Sequence, residues 1–193
     1  MKPFIKKLIA ITFFLLLLPL ILVHFSISLF IKNGIFLFSV QLLSLIPGKI
    51  GSYFRIAFNR VAMTYCHPET VIGFATIFSQ TDTEIHQGVY IGPQCNIGMC
   101  KLGKNALIAS GVHIMSGNNQ HNFDDLDRPI QQQDGDYVKI EIGEDSWIGN
   151  GSLVMANIGK KCVIGAGSVV TKAIPDYSIA IGNPAKVIRT RHQ

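Results

Sequence analysis

No aspartate or glutamate occurs in the first 65 residues of this 193-residue chain, although seven lysines and arginines do: Lys2, Lys6, Lys7, Lys32, Lys49, Arg55 and Arg60. The formal net charge of +5 therefore belongs to the amino-terminal arm, because the rest of the chain holds 10 basic against 12 acidic residues. A nucleic-acid binder is expected to carry its basic excess on the folded domain. No nucleic-acid partner is expected here, and an anionic membrane surface suits the arm better. Cysteine is sparse as well: Cys66, Cys95, Cys100 and Cys162 form no CxxC pair. They read as thiols of a folded core in a reducing compartment.

What the arm does have is apolar length. From Leu8 to Ile31 the run is broken only by Thr12, Pro19, His24, Ser26 and Ser28. As a helix it would be roughly 36 Å long, against a bilayer core of ~30 Å. The basic start resembles that of a signal peptide, but the run is long for one and no A-x-A-like site follows it. A retained anchor is the reading we adopt. Lys32-Asn33-Gly34 interrupts, and Ile35 to Pro47 is apolar again but too short to cross unaided. A re-entrant hairpin and a span followed by an interfacial helix both fit. In Ile50 to Tyr65 a helix would place Ile50, Tyr53, Phe54, Ala57, Phe58 and Val61 on one face, with Ser52, Arg55, Asn59 and Thr64 opposite. That pattern suits a membrane interface; packing against the end of the following domain is the competing reading. Residues 1–65 are thus expected to be a membrane anchor and residues 66–193 the folded domain, with Pro68 discouraging helix at the boundary.

The folded domain is organised by a period of six. Its hexads are Ile85-His-Gln-Gly-Val89, Ile91-Gly-Pro-Gln-Cys95, Leu102-Gly-Lys-Asn-Ala106 and Ile108-Ala-Ser-Gly-Val112, then Ile142-Gly-Glu-Asp-Ser146, Ile148-Gly-Asn-Gly-Ser152, Ile158-Gly-Lys-Lys-Cys162, Ile164-Gly-Ala-Gly-Ser168 and Ile174-Pro-Asp-Tyr-Ser178. Each opens on Ile or Leu and carries a small fifth residue. Six fits neither the helical period of 3.6 nor the strand period of 2. It fits a short strand and a turn, three to a coil, stacked as a triangular prism with the aliphatic residue inside. Ile72-Gly-Phe-Ala-Thr76 reads as an early hexad, with irregular sequence from there to Ile85. The spacing falls short between Ile97 and Leu102 and between Val154 and Ile158. Between the two blocks, Ser116 to Val138 is polar, turn-rich and unfit for a prism wall, so it is a loop expelled from the scaffold.

These repeats resemble those of the hexapeptide-repeat acyltransferases. The resemblance implies a mainly β fold: a left-handed parallel β-helix of about five coils with an expelled catalytic loop, preceded here by membrane-associated helices. The handedness comes from the resemblance and departs from the usual right-handed crossover. The stretch Ile114-Met-Ser-Gly-Asn-Asn-Gln-His121-Asn-Phe-Asp-Asp-Leu-Asp-Arg-Pro-Ile130 is similar to the catalytic segment of sugar O-acetyltransferases in that family. It implies that His121 is the general base, a task that neutral imidazole performs well near pH 7. Asp124 and Asp125 are candidates to orient it, and Asn96 to contact the acceptor. His67, His86 and His113 read as surface histidines.

The second block resembles the coenzyme A groove of galactoside and maltose acetyltransferases through Ser146-Trp147-Ile-Gly-Asn150, Ile164-Gly-Ala166-Gly-Ser-Val-Val-Thr171-Lys172 and Asn183-Pro-Ala-Lys-Val-Ile-Arg189. By position, Trp147 and Asn150 would border the pantetheine arm, and the backbone at Ala166 and Thr171 would bind its amides. Lys172 and Arg189 would meet the phosphates. The resemblance thus implies acetyl-CoA as cosubstrate, no metal, a sugar as acceptor and a homotrimer; the apolar arm adds the cell membrane and a lipid-linked saccharide, and a cytosolic coenzyme puts the catalytic domain on the cytoplasmic side. Two other classes compete. One is a zinc hydratase of carbonic-anhydrase type using His86, His113 and His121, although the close histidine pair that it requires, five apart, is missing. The other is a non-catalytic anchored scaffold.

Overall fold

The computed structural model describes residues 3–191, so Lys2 of the basic start lies outside the described residues. From Tyr65 onward the chain winds through about six coils, whose short strands stack into three parallel sheets. The first coil holds β1 (Tyr65–Cys66), β2 (Val71–Ile72) and β3 (Ile77–Phe78); the second, β4 (Glu84–Ile85), β5 (Tyr90–Ile91) and β6 (Asn96–Ile97). The third holds β7 (Cys100–Leu102), β8 (Leu107–Ile108) and β9 (His113–Ile114). After the expelled loop come β10 (Ile140–Ile142), β11 (Trp147–Ile148) and β12 (Leu153–Val154), then β13 (Val163–Ile164), β14 (Val169–Val170), β15 (Ser178–Gly182) and β16 (Ala185–Thr190). In the last two coils the first wall is reduced to bridges at Ile158 and Ile174. The first wall is β1-β4-β7-β10, the second β2-β5-β8-β11-β13-β15, and the third β3-β6-β9-β12-β14. The antiparallel β16 closes the second wall.

Every hexad's aliphatic residue lies in the prism interior, and every small fifth residue is buried beside it. The repeat also begins earlier than expected. Cys66, Ile72 and Phe78 are buried at the three walls of a coil ahead of Ile85, which brings the total to about six rather than five. The fifth residues do more than make room. Ser146 Oγ donates to the Gly159 carbonyl (2.8 Å) and accepts the Cys162 N–H (2.9 Å), tying one coil's corner to the next. Thr76 Oγ1 does the same for Gly92 and Cys95. Such bonds satisfy corner backbone that would otherwise be buried without partners. The fourth residue of each hexad makes the turn. Ala75, Gln94, Asn105, Asp145, Lys161 and Tyr177 have φ of 55–60°, and glycine occupies the equivalent places at 88, 111, 151 and 167. The left-handed region costs a side-chain-bearing residue roughly 1–2 kcal/mol, which the ladder bonds on either side offset.

All departures from the period fall at one edge, between the third wall and the first. Seven residues separate Phe78 from Ile85, five separate Ile97 from Leu102, and four separate both Val154 from Ile158 and Val170 from Ile174. The loop leaves at that same edge, between Ile114 and Ile140. Because β9 and β12 still pair in register (His113 with Leu153, Ile114 with Val154), the excursion does not disturb the stacking.

Three helices close the open end of the prism: α1 (Pro3–Ser28), α2 (Lys32–Ser44) and α3 (Gly48–Ala62). The break falls at residues 29–31, just ahead of the Lys32-Asn33-Gly34 interruption, and α1 continues through Pro19. Several polar atoms of this apolar layer pair internally: His24 Nδ1 with Ser39 Oγ at 3.0 Å, and the Ser26 and Ser28 hydroxyls with carbonyls one turn back. The helical face expected to be solvated on α3 is instead its inner face. Ser52, Arg55 and Asn59 are buried against the first coil. The reason is the solenoid's exposed strand edge, which would otherwise leave donors and acceptors unpaired. Ser52 Oγ accepts the Ile72 N–H (3.1 Å), and Arg55 Nε donates to the Ile72 carbonyl (3.0 Å). Arg55 Nη1 reaches the carbonyls of Leu43, Ser44 and Ile46 at the end of α2 (3.0, 3.3 and 2.8 Å). The outer side of α1 remains apolar and exposed, with Leu8, Ile11, Leu15 and Leu22 in one row. Its stretch Leu8–Ser28 is long and apolar enough to cross a membrane.

Candidate active site

The expelled loop is an ordered hairpin. Its two legs exchange backbone bonds from Val138 to Ser116 (2.9 Å), Asp136 to Asn119 (2.7 Å) and Asn122 to Asp134 (2.8 Å). Gly135 lets the legs close, since a Cβ there would lie 2.1 Å from the Gln120 carbonyl oxygen. At the tip, the buried side chain of Gln133 accepts the Asp125 N–H (3.2 Å) and donates to the carbonyls of Asp125 and Arg128 (2.7 and 3.0 Å). At the root, Ser116 Oγ accepts the Met99 N–H (2.9 Å). Asn118 Nδ2 donates to the Thr171 carbonyl two coils along (3.1 Å). The short edge after Val170 is where Asn118 of this root meets the prism.

His121 follows this braced root and is exposed. Neither Asp124 nor Asp125 forms a hydrogen bond with it among the described residues; Asp125 Oδ1 instead accepts the Asp127 N–H (3.0 Å). Beside the root, on the third wall, a cavity of about 270 Å³ is lined by Asn96, His113, Ser79, Ser116, Gln120 and their neighbours. Asn96 and His113 are register partners on adjacent coils, so both side chains face outward from one ladder. Asn96 therefore stands by the loop as its candidate role requires. His113, read from sequence as a surface histidine, is exposed but also lines this cavity. The signal that would have found it is the wall assignment, since Asn96 and His113 occupy equivalent positions of successive coils. Amide, hydroxyl and imidazole groups share the lining with Ile114, Met115 and Leu153, and no carboxylate is among it. Such a surface offers hydrogen bonds to hydroxyl groups without a charge to hold an ammonium.

The candidate coenzyme residues divide between two edges of the third wall. Asn150 and Ala166 occupy successive coils at the edge shared with the second wall, joined by the Gly167 N–H to the Asn150 carbonyl (2.8 Å). Trp147, half exposed, stands on the second wall leading to them. Thr171 and Lys172 lie at the other edge, beneath the loop root. Arg189 is on β16, opposite Ile179. Lys172 and Arg189 are exposed and carry no ion pair among the described residues, which leaves both cations available to an anion. The residue set suits an elongated ligand with an apolar arm and phosphates, but one protomer does not gather it around His121.

Electrostatics at the loop's return are set by Lys139, which bonds Asp82 and Glu84 and holds both carboxyls below their usual range; they in turn raise Lys139. The four cysteines are buried, and burial pushes their thiols up, to about 12 for Cys66 and Cys100. They are core thiols. Among the described residues no cluster of three His, Cys, Asp or Glu side chains is arranged to hold a metal ion. His86 packs against Tyr65 on the first wall (5.2 Å between rings), away from the wall and loop that carry His113 and His121.

Comparison with known proteins agrees with the repeat fold. Residues 139–172 match the hexapeptide repeat of succinyl-transferase. A Mycobacterium tuberculosis protein provisionally named an acetyltransferase is 41% identical over 93 residues, 47% of this chain and 30% of that protein. A Staphylococcus aureus protein with a similarly provisional name is 36% identical over 107 residues, 46% of this chain and 54% of its own length. The matched segments thus span between about a third and about half of these relatives. Among solved structures, a maltose O-acetyltransferase from Clostridium difficile superposes with a TM-score of 0.73 at 23% identity, covering 84% of this chain and 88% of that one. A galactoside acetyltransferase in complex with coenzyme A gives 0.69 at 22%, covering 85% and 82%. At these identities the likeness is one of fold.

Proposed function

We propose, starting from the chain's membership of the hexapeptide-repeat acyltransferase family, that it is a membrane-associated acetyltransferase. It moves an acetyl group from acetyl-CoA to a hydroxyl of a sugar in a glycan or glycolipid precursor. The observation that carries this reading is the braced hairpin that presents His121 beside the Asn96 cavity. His121 takes the proton from the acceptor hydroxyl, whose oxygen attacks the thioester carbonyl. The C–S bond then breaks, and the coenzyme leaves as its thiol, the imidazolium returning the proton. Asn96 holds the acceptor. Trp147 and Asn150 border the pantetheine arm, the backbone at Ala166 and Thr171 meets its amides, and Lys172 and Arg189 meet the phosphates.

Because the two groups of coenzyme residues do not converge within one protomer, the working unit is a homotrimer in which one subunit's His121 faces a neighbour's groove. The exposed apolar side of α1 supports attachment to the membrane, and the dependence on acetyl-CoA supports a cytoplasmic catalytic domain. The lining of the Asn96 cavity favours a hydroxyl acceptor over an ammonium-bearing one. His86 of the zinc-hydratase alternative stands on a different wall from His113, and the bare cations Lys172 and Arg189 favour a coenzyme user over a scaffold. Measuring thiol release from acetyl-CoA against membrane lipid and glycan extracts tests the proposal. Release that depends on extract supports it; none with any extract, from folded protein, ends it.

A further inference from the structure

Two cavities adjoin between the helical layer and the prism. One, of about 260 Å³, is lined by Ile9 and Ala10 of α1, Tyr53, Ile56, Ala57 and Arg60 of α3, and Glu69, Thr70 and Val71 of the first coil. The other, of about 450 Å³, continues past Tyr53 and Val71 to Lys49, Phe74 and Pro93. Tyr53, Thr70 and Val71 line both, so they form one groove along α3 and β2. Its floor is apolar, and Val71 and Phe74 remain substantially exposed within it. At one end it is lined by Ile9 and Ala10 of α1, which lie in sequence between the exposed Leu8 and Ile11. At the other it ends at Pro93, three residues before Asn96 and on the edge of the wall that carries the Asn96 cavity. Lys49 and Arg60 stand along its length, with Glu69 the one carboxylate in its lining.

We propose that this groove holds the hydrocarbon chain of the acceptor, a lipid joined to its sugar through an anionic linkage. This rests on the acetyltransferase reading above. The apolar floor removes chain from water, the cations suit a phosphate, and the path from α1 to Asn96 runs from the membrane-facing layer to the site where the hydroxyl reacts. The sugar is thereby delivered to His121 while its lipid stays shielded.

The test uses the full chain in phosphatidylcholine nanodiscs and a dodecyl glucoside bearing a terminal diazirine. After irradiation, peptide mass spectrometry is expected to find label on Tyr53 and on residues 71–74, and Val71→Arg is expected to reduce it about tenfold. Phe74→Arg serves as the second variant should Val71→Arg fail to fold, as judged by circular dichroism. In wild type, competition by alkyl glucosides should strengthen with chain length, by up to about fourfold per buried methylene. Label confined to the outer side of α1, or unchanged by both arginine substitutions, overturns the groove and leaves the acetyltransferase reading standing. Label in the groove from a protein that never releases thiol from acetyl-CoA supports the groove and ends the acetyltransferase reading.

Discussion

The side-chain amide of Asn118 donates to the backbone carbonyl of Thr171 at 3.1 Å across 53 residues of sequence. This bond ties the root of the expelled hairpin to the fifth coil, beside the candidate coenzyme residues Thr171 and Lys172. A single exposed hydrogen bond is worth only about 0.5–1.5 kcal/mol, so Asn118→Ala should barely move the melting temperature. It should lower kcat several-fold if the root positions His121. His121→Ala should leave folding and coenzyme binding intact and lower turnover by about 10²–10⁴-fold, the usual worth of general acid–base catalysis. Steady-state kinetics beside a melting curve separate the two variants, and near-wild-type turnover in His121→Ala would remove the residue from the mechanism.

Lys172 and Arg189 are exposed cations without ion-pair partners among the described residues. Replacing either with Ala should raise the KM for acetyl-CoA several-fold and leave that for the acceptor unchanged. An effect confined to the acceptor's KM would show that neither cation meets the coenzyme.

Arg55 joins three elements, accepted by carbonyls at the end of α2 and by Ile72 of the first coil. Removing the guanidinium takes the donor from the Ile72 and Ile46 carbonyls, while those of Leu43 and Ser44 keep the Ile46 and Ala75 N–H groups, and each unsatisfied buried group costs about 1–3 kcal/mol. Arg55→Met should therefore destabilise the protein by at least about 2 kcal/mol, with Arg55→Lys intermediate. Thermal unfolding in detergent checks this. If Arg55→Met melts with the wild type, the helical layer does not depend on this cap.

The prism was legible because its signal is repeated. Nine hexads place an aliphatic residue every sixth position, and each such residue is buried. The expelled hairpin was legible for the opposite reason, as the one long polar stretch that no wall accepts. The first coil was harder to see. Cys66 and Phe78 stand where the pattern wants Ile or Leu, and an extra residue before Ile85 breaks the count. The fourth-position turn was hidden because six different non-glycine residues carry it. Arg55 and Asn59 misled for a physical reason. A helical wheel assigns polar residues to water, whereas here the open strand edge of a solenoid competes for them. His113 was passed over because its neighbour across the ladder, Asn96, is 17 residues away in sequence.

The orientation of the helical layer gives the last prediction. A single span through α1 would place Lys2, Lys6 and Lys7 outside, away from Lys49 and Arg60 on the prism side, although both groups suit the anionic inner leaflet. Arg55 no longer counts in that balance, since it is buried. Contacts along α1 bear on the choice. Phe13 packs on Tyr53 and Phe54 (5.0 and 4.9 Å between ring centres), and His24 packs on Phe58 (4.9 Å). Helix α1 is therefore held against α3, the helix that caps the prism, along much of its length. Helix α2, at 13 residues about 20 Å long, is too short to return across a core of ~30 Å. These features support a layer that dips into one leaflet, with the amino terminus and the prism both cytosolic. Cysteine labelling in intact cells tests it, with reporters introduced as Lys2→Cys and Asp124→Cys. The native thiols give little background, because all four are buried with their ionisation pushed up. Neither reporter should react with an impermeant maleimide until the cells are opened. Reaction at Lys2→Cys alone replaces the dipping layer with a span. Reaction at Asp124→Cys puts the prism outside, beyond the reach of cytosolic acetyl-CoA, and ends the acetyltransferase reading with it.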